Sequence, residues 1–254
     1  MGFSINTNIG AMNANLNLNQ NNQTLQNSLG ALSSGTKLGS SSNDAASLSI
    51  ANGLSSYVRE MSQSIMNAND SIGMIQIADG AMSGISENMD KIRDLTLRAS
   101  NGTMNSANRM AIQKEIDGLM KSTNQMSNSA SYNGIQLLSG SDTSLADTGG
   151  IQGLSINVLE DGFLEQSLEA IDGARGSIDS IRSDLGASQN GFESQIRNTS
   201  VARINAASAE SNLRDVDFAQ ESANFSQANI KAQIGSYVQA QSNAVASNVT
   251  RLFQ

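Results

Sequence analysis

The sequence contains no cysteine, histidine, tryptophan or proline among its 254 residues. Without cysteine and histidine there is no thiolate nucleophile, no imidazole general base and no zinc site of the usual ligand set, which excludes most hydrolases and metalloenzymes. The absence of cysteine also excludes a disulfide framework, so redox chemistry does not indicate the compartment. Because proline breaks helices, its absence favours long uninterrupted ones. We therefore expect no catalytic residue, no cofactor and no metal ion.

Positive charge and long apolar runs are scarce as well. The formal net charge is −8, and the 15 Lys and Arg residues are scattered along the chain, which argues against a nucleic-acid or anionic-membrane partner. No apolar run approaches the ~20 residues that span a bilayer, and the first residues lack the pattern of a secretory signal. We expect no nucleic acid and no membrane as partner, and export, if it occurs, without a conventional signal peptide.

The two ends of the chain are almost uncharged. Residues 1–36 carry no charge and are rich in Asn and Gln, and after Lys231 the only charged residue is Arg251. Apolar residues recur at helical spacing in both ends, which predicts helices with a narrow apolar stripe. Such a stripe stabilises an isolated helix poorly, so we expect disorder alone and helix once paired, with protein rather than water around the pair. The alternative is two flexible polar tails. The stripe residues are Ile5, Ile9, Met12, Leu16, Leu25, Leu29, Leu32, Ile234, Val238, Val245, Val249 and Leu252.

The strongest periodicity lies inside the chain. Apolar residues follow a heptad spacing from Leu54 to Ile75, and Met82, Ile85, Met89 and Ile92 continue the stripe after a shift in phase. With Asn43-Asp44 as N-cap and Asn101-Gly102 as stop, this pattern predicts one helix of roughly 55 residues. Further stripes predict a second helix around 112–126 and a third from Ile171 to Ile204. On the solvated face of the first helix, Glu87 with Lys91 and Asp94 with Arg98 have the spacing of ion pairs within a helix.

The segment from Tyr132 to Gly162 changes character. Asn133-Gly134 and Gly149-Gly150 predict turns, and residues 154–158 alternate apolar and polar as a strand does. The expected fold class is therefore mainly α, with long coiled-coil helices forming an elongated bundle and one small β-hairpin region between the N- and C-terminal halves.

Several stretches of the sequence resemble a known family. SINTNIGAMNANLNLNQNNQTLQNSLGALSSG, NDAASLSIANGL and IMNANDSIGMIQIADGAM resemble the N-terminal region of bacterial flagellins, and DGARGSIDSIRSDLGASQNGFESQI and NAASAESNLRDVDFAQESANFSQANIKAQIGSYVQAQSN resemble their C-terminal region. The resemblance implies a short form without large outer domains. It divides the chain into an N-terminal filament-core helix (1–42), N-terminal helices of an inner bundle (43–131), a short β-hairpin connection (132–165), a C-terminal helix of that bundle (166–210) and a C-terminal filament-core helix (211–254).

This resemblance implies a structural, non-enzymatic subunit that self-assembles as a helical homopolymer into the flagellar filament for swimming motility. It implies secretion through the flagellar type III export apparatus, with an export chaperone and hook-associated and cap proteins as further partners. A hook–filament junction protein is the nearest alternative, and a chemoreceptor-like helical signalling module is a more distant one. An enzyme is a third class, but its acidic candidates Asp215 and Asp217 lie on different faces of a helix.

A second resemblance concerns the helix surface near residue 91. The stretch Asp90–Leu95, with 99–103 and Glu115, resembles the surface through which some flagellins bind a vertebrate Toll-like receptor. Leu95 and Glu115 match that motif, whereas Lys91 stands where Arg is usual, and the two cations are not equivalent donors. An innate-receptor surface at Lys91, Leu95 and Glu115 and an ordinary helix surface are the two interpretations.

Overall fold

The computed structural model describes residues 8–39, 44–140 and 144–252. The chain is mainly α-helical with one small antiparallel hairpin, as predicted. Its elements in chain order are α1 (Ile9–Ser34), α2 (Ala45–Ala99), α3 (Ser106–Ser129), β1 (Ser131–Tyr132), β2 (Ile135–Gln136), α4 (Gly149–Gln152), α5 (Asp161–Arg214) and α6 (Phe218–Leu252). The 55 residues of α2 confirm the predicted length of the first inner helix.

Short polar side chains begin most of the long helices. Asn8 accepts a hydrogen bond from the Ala11 amide at 3.0 Å at the start of α1, and Asp44 accepts from the amides of Ala46 and Ser47 at the start of α2. These side chains satisfy backbone donors that the first turn leaves without partners. The predicted cap at Asp44 is confirmed, and hydrogen bonds from Ser47 hold the pKa of that carboxyl below its usual value. Asn43 lies outside the described residues.

The chain divides into two compact units. Unit 1 comprises residues 1–60 and 203–254, and unit 2 comprises residues 61–202. Helices α2 and α5 therefore contribute to both units. The division of the chain into five segments stays a prediction.

Unit 2 has a continuous apolar core. The predicted α2 stripe Met82, Ile85, Met89 and Ile92 is fully buried and packs in one cluster with the following residues of α3, the connection and α5: Ile116, Leu137, Leu138, Val158, Ile171 and Ile178. Upstream on α2, Ala68 and Ile75 are buried, whereas the other predicted heptad positions are only half-buried. The stripe therefore becomes a closed core only in its second half.

Ion pairs in unit 2 join α2 to α5. The nitrogen–oxygen distances are 2.7 to 2.9 Å for the pairs Arg93–Asp172, Arg175–Asp90 and Arg182–Asp79. The hydrogen bond that Arg93 donates holds the pKa of Asp172 below its usual value, and Asp172 in turn raises the pKa of Arg93. Among the described residues, Glu87–Lys91 and Asp94–Arg98 do not form the predicted ion pairs. The charged residues of α2 that pair with α5 are Asp79, Asp90 and Arg93.

The hairpin forms at the predicted Asn133-Gly134 turn. Tyr132 pairs with Ile135 across a two-residue loop, and φ is +50° at Asn133 and +81° at Gly134. Positive φ at both central residues is the geometry that Asn-Gly favours. The turn predicted at Gly149-Gly150 is wrong, since these two glycines begin the short helix α4.

The strand predicted at residues 154–158 is also wrong. Ile156 and Val158 are buried and Asn157 between them is more exposed, so the alternation was correct, but the segment pairs with no strand among the described residues. The side-chain amide of Gln113 takes that place: its Nε2 donates to the Ile156 carbonyl at 2.8 Å and its Oε1 accepts from the Val158 amide at 2.9 Å. The hydroxyl of Ser167 bonds both backbone groups of Asn157. Helix side chains thus satisfy the extended backbone.

Candidate interaction surface

Helices α1 and α6 pack against each other in antiparallel directions within unit 1. Near the start of α1, Asn8 Nδ2 donates to the Ser242 carbonyl at 3.1 Å. Midway along the pair, Gly235 faces Leu18 so closely that an added Cβ would lie 3.2 Å from Leu18 Cδ1. The two predicted end stripes therefore belong to helices that pair within a single chain.

Two backbone hydrogen bonds between residues 35–37 and 214–216 set the register of this pair. The Lys37 amide donates to the Arg214 carbonyl at 2.7 Å, and the Val216 amide donates to the Gly35 carbonyl at 3.1 Å. Gly35 ends α1 with φ of +69°, a left-handed conformation that turns the chain toward the start of α6 and that glycine adopts at little cost. These two hydrogen bonds fix the end of α1 relative to the start of α6.

Small side chains form the contact between α1 and α6. Ser28 and Ala228 are buried and line one groove of about 360 Å³ together with polar residues such as Asn21, Asn224 and Lys231. Gly10 lies equally close to the Ser242 hydroxyl at the other end. Small residues let the two backbones approach at these points, and most of the larger predicted stripe residues lie away from the contact.

Most of the predicted stripe residues lie on the exposed side of this pair. Eight of them are between 39% and 63% exposed: Ile9, Met12, Leu16, Leu29, Ile234, Val238, Val245 and Val249. Leu25 and Leu32 are half-buried. Ile5 lies outside the described residues, as does the side chain of Leu252. We call the eight exposed residues, with Ile230 and Tyr237, the outer face.

Ile230 and Tyr237 were missed by the sequence analysis. They are 57% and 71% exposed and lie four residues before and three residues after Ile234. This spacing continues the helical stripe in both directions, so the periodicity contained the signal. The stripe of α6 therefore starts one turn earlier than predicted.

Unit 1 has little core beneath the outer face. The buried apolar residues among the described part of unit 1 are Leu38, Ala51, Ala206 and Ala228, and only Leu38 is larger than alanine. Exposed apolar surface of this extent marks an interaction site, because solvent-facing helices normally display charge. Helix α1 has no charged residue, and α6 carries Glu221 in its first turn and Arg251 in its last turn, where the helix dipole favours those signs. Between them α6 has one more charged residue, Lys231, which lines the groove between the two helices. The outer face is thus apolar and uncharged over most of its length.

The predicted innate-receptor residues do not share one exposed patch. Lys91 and Glu115 are exposed, whereas Leu95 is 8% exposed and belongs to the core of unit 2. Arg93, in the same stretch, is engaged by Asp172. Receptor binding at this surface stays a prediction.

The acidic residues considered for catalysis have local structural partners. Asp217 caps α6 by accepting from the amides of Ala219 and Gln220, and Asp215 accepts from the Ser211 hydroxyl. Across the part of the chain that the structure describes, no group of three or more acidic side chains could hold a metal ion. Over the same residues, no helix combines the length and the apolar character needed to cross a membrane.

Family models match both halves of the chain. The model of the bacterial flagellin N-terminal helical region matches residues 5–143, and that of the C-terminal helical region matches residues 168–253. The chain is 42% identical to flagellin B of Vibrio cholerae over 116 residues, which cover 46% of this chain and 31% of the relative. It is 53% identical to flagellin B of Helicobacter pylori over 87 residues, which cover 34% of this chain and 17% of that protein. The matched segment thus spans less than a third of either relative.

One of the matching solved structures shares the fold of this chain. A structure described as a flagellar hook-associated protein from Vibrio parahaemolyticus matches with a TM-score of 0.56 at 15% identity, over 68% of this chain and 100% of that one. At this level of identity the likeness concerns the fold alone. A Bacillus cereus flagellin matches with a TM-score of 0.48 at 21% identity, over 53% of this chain and 88% of that one.

Proposed function

The chain belongs to the bacterial flagellin family, and from this premise we propose that it is a structural, non-catalytic subunit that self-assembles into the extracellular filament of the bacterial flagellum. The filament would serve swimming motility. The observation that carries the proposal is the outer face of α1 and α6, which is large, apolar and uncharged. Copies of the same chain are the occupants that a homopolymer offers to this face.

Self-assembly follows from the difference between the two units. Unit 2 buries its own large apolar side chains, whereas unit 1 buries almost none of its own. Apolar burial contributes about 25 cal/mol per Å², so contact between outer faces of neighbouring copies stabilises unit 1 in a way that a single chain does not. Order in the terminal helices is then coupled to assembly, and growth is cooperative and reversible.

The short connection supports a form without large outer domains. Between the end of α3 at Ser129 and the start of α5 at Asp161, the described chain holds only the small hairpin, α4 and extended segments that pack on unit 2. The proposed subunit therefore consists of filament-core helices, an inner bundle and this connection.

Further partners follow from the same outer face. Before a subunit is incorporated, the exposed apolar surface of its helices has to be bound by another protein. An export chaperone that binds an amphipathic helix suits this surface. We also propose secretion through the flagellar type III apparatus, and hook-associated and cap proteins as neighbours at the two ends of the filament. Binding of the purified monomer to a cognate chaperone should be lost when the residues of the outer face on α6 are replaced by serine.

Truncation of either terminal helix tests the proposal. Chains that lack residues 1–36 or 215–254 should keep the helical signal and the thermal transition of unit 2, because its core lies entirely within residues 75–185. They should form no filaments by negative-stain electron microscopy under conditions in which the full chain polymerises. Normal filaments from either truncated chain would refute the proposal. A full chain that needs another protein for unlimited growth would instead indicate a hook–filament junction role.

The innate-receptor surface needs its own test. Lys91 and Glu115 are available to a partner in the monomer, and Leu95 is not unless α2 is locally rearranged. A cell-based assay of receptor activation with saturating monomer, compared with a Glu115→Ala variant, decides the matter. No response from the unaltered monomer would refute receptor binding and would leave the proposal of filament assembly unchanged.

A further inference from the structure

Four Asn-Gly dipeptides occur in the chain, at Asn52, Asn101, Asn133 and Asn190. Asn followed by Gly is the dipeptide in which the backbone amide of the glycine most readily attacks the side chain before it, since glycine has no Cβ to obstruct the approach. The four dipeptides lie in three kinds of backbone: a turn after α2, the hairpin turn, and two helix interiors. They therefore form a natural comparison within one molecule.

We propose that Asn101 is a site of spontaneous deamidation, and that the native fold selects it over the other three dipeptides. The Gly102 nitrogen attacks Asn101 Cγ, a new C–N bond forms, and the Cγ–Nδ2 bond breaks. The proton from the Gly102 nitrogen leaves with Nδ2 as ammonia. Water then hydrolyses the resulting succinimide at either carbonyl, which yields aspartate or isoaspartate and one added negative charge.

Two hydrogen bonds prepare the electrophile at Asn101. Its Oδ1 accepts from the Thr103 amide at 3.2 Å and from the Thr103 hydroxyl at 3.0 Å. Attack at Cγ places negative charge on this oxygen, and donors already aimed at it stabilise that charge as the donors of an oxyanion hole do. The same bonds hold the side chain over the following backbone. Beyond the chain neighbours, no atom lies within 4 Å of the position that a Cβ on Gly102 would occupy, and the same holds for the glycines of the other three dipeptides, so crowding at the glycine does not distinguish the sites.

The backbone of Asn101 also leaves the reaction more freedom than that of Asn133. The Asn101 amide donates to the Arg98 carbonyl at 3.1 Å and the Met104 amide donates to the Asn101 carbonyl at 3.0 Å. Rotation about the Asn101 Cα–C bond breaks only the second of these turn hydrogen bonds. Asn133 is the second residue of its hairpin turn, with φ of +50°, and the strand pairing of Tyr132 with Ile135 holds it. The succinimide ring requires rotation about the Cα–C bond, which breaks the hairpin turn.

The two remaining dipeptides lie inside helices. Asn52-Gly53 is in α2 and Asn190-Gly191 is in α5, where the glycine nitrogen donates to the carbonyl four residues earlier. Helical dihedrals hold that nitrogen away from Cγ. Asn52 Oδ1 also accepts a hydrogen bond, from Arg214 at 3.2 Å, so at this site the helical backbone is what withholds the reaction. Reaction at either site requires local unfolding of a long helix.

Peptide mapping by mass spectrometry tests the selection. The full chain is incubated at mildly alkaline pH and physiological temperature, and deamidation is followed at each site. Trypsin cleaves after Arg98 and Arg109, and other cleavages place the remaining three dipeptides in separate peptides. Asn101 should react fastest in the native protein. In concentrated urea the four rates should converge, because the sequence at each site is the same dipeptide.

Variants at Thr103 separate the hydrogen bonds from mere exposure. Thr103→Val removes the hydroxyl donor and should slow deamidation at Asn101 by roughly fivefold, the equivalent of one hydrogen bond of ordinary net strength. Thr103→Ser keeps the donor and should preserve the rate, and neither variant should change the rate at Asn133. A native rate at Asn133 or at a helical site equal to that at Asn101, or an unchanged rate in Thr103→Val, overturns the proposal.

Discussion

Replacement of three outer-face residues by alanine should raise the concentration at which filaments form. The variant combines Leu16→Ala on α1 with Ile230→Ala and Ile234→Ala on α6. Alanine is the best helix former, so both helices keep their intrinsic stability. The three side chains make no large contribution to the monomer, and their loss should be felt when copies meet.

The size of the effect follows from the exposure of these side chains. Complete burial of a leucine or isoleucine side chain contributes about 1.5–3 kcal/mol. Leu16, Ile230 and Ile234 are 61%, 57% and 56% exposed, so truncation loses about 1 kcal/mol of the contact free energy at each position. Three such losses total about 3 kcal/mol, which corresponds to a roughly hundredfold higher critical concentration.

Sedimentation of filaments across a concentration series measures this quantity. The matched control replaces three exposed apolar residues of unit 2 with alanine: Met66, Leu97 and Met110. Both variants should retain the thermal unfolding transition of unit 2. If the control raises the critical concentration as much as the outer-face variant, or if the outer-face variant polymerises normally, the reasoning is refuted.

Three further predictions concern stability. Gly140→Ala should lower the free energy of unfolding by about 2 kcal/mol or more, because φ is +70° and the added Cβ would lie 2.5 Å from a carboxylate oxygen. As the control, Gly134→Ala, at φ of +81° with open space around it, should lower it by about 1 kcal/mol. Equal losses in chemical denaturation would contradict the effect of the clash. Gln113→Ala should cost about 2–3 kcal/mol, since two backbone groups lose their partner, and rapid hydrogen exchange should appear at the Val158 amide; a loss below about 0.5 kcal/mol would show that water replaces the amide. Arg93 lowers the pKa of Asp172 in the folded state, so the stabilisation by this pair is complete above the unfolded pKa of about 3.9 and is lost as pH falls through the lower folded value. Asp172→Asn should therefore make the free energy of unfolding less dependent on pH in that acidic range, and the pH dependence near neutrality should stay the same. An unaltered pH profile would mean that the pair contributes nothing.

Periodicity and local capping chemistry were sufficient to predict the long helices. The stripe from Met82 to Ile92 and the cap at Asp44 are both present in the structure, because an i, i+3, i+4 pattern and an N-cap depend on residues close together in the chain. The Asn133-Gly134 turn was predictable for the same reason: positive φ at two successive positions is a property of the two residues themselves.

The prediction failed where the partner of a segment was distant in sequence. Residues 154–158 alternate as a strand does, yet the partner of their backbone is Gln113 on α3, which no local pattern identifies. The predicted ion pairs Glu87–Lys91 and Asp94–Arg98 also did not form, and the ion pairs of this part of α2 join Arg93 and Asp90 to side chains of α5 instead. For residues 154–158, a side chain of another helix binds the backbone that the alternating pattern had assigned to a neighbouring strand.

The sequence by itself determined which residues share a helical face, but it did not determine what covers that face. Met12 and Leu16 on α1 have the same kind of spacing as Met82 and Ile85 on α2, but the first two are more than half exposed and the last two are fully buried. Only the tertiary structure decided this difference. Close packing of α1 on α6 through Ser28, Ala228 and Gly235 turns their larger side chains outward, whereas α3, the connection and α5 close over α2. An apolar stripe predicts that one face of the helix is buried in a contact. The spatial arrangement of the elements decides whether that contact is made within the same chain.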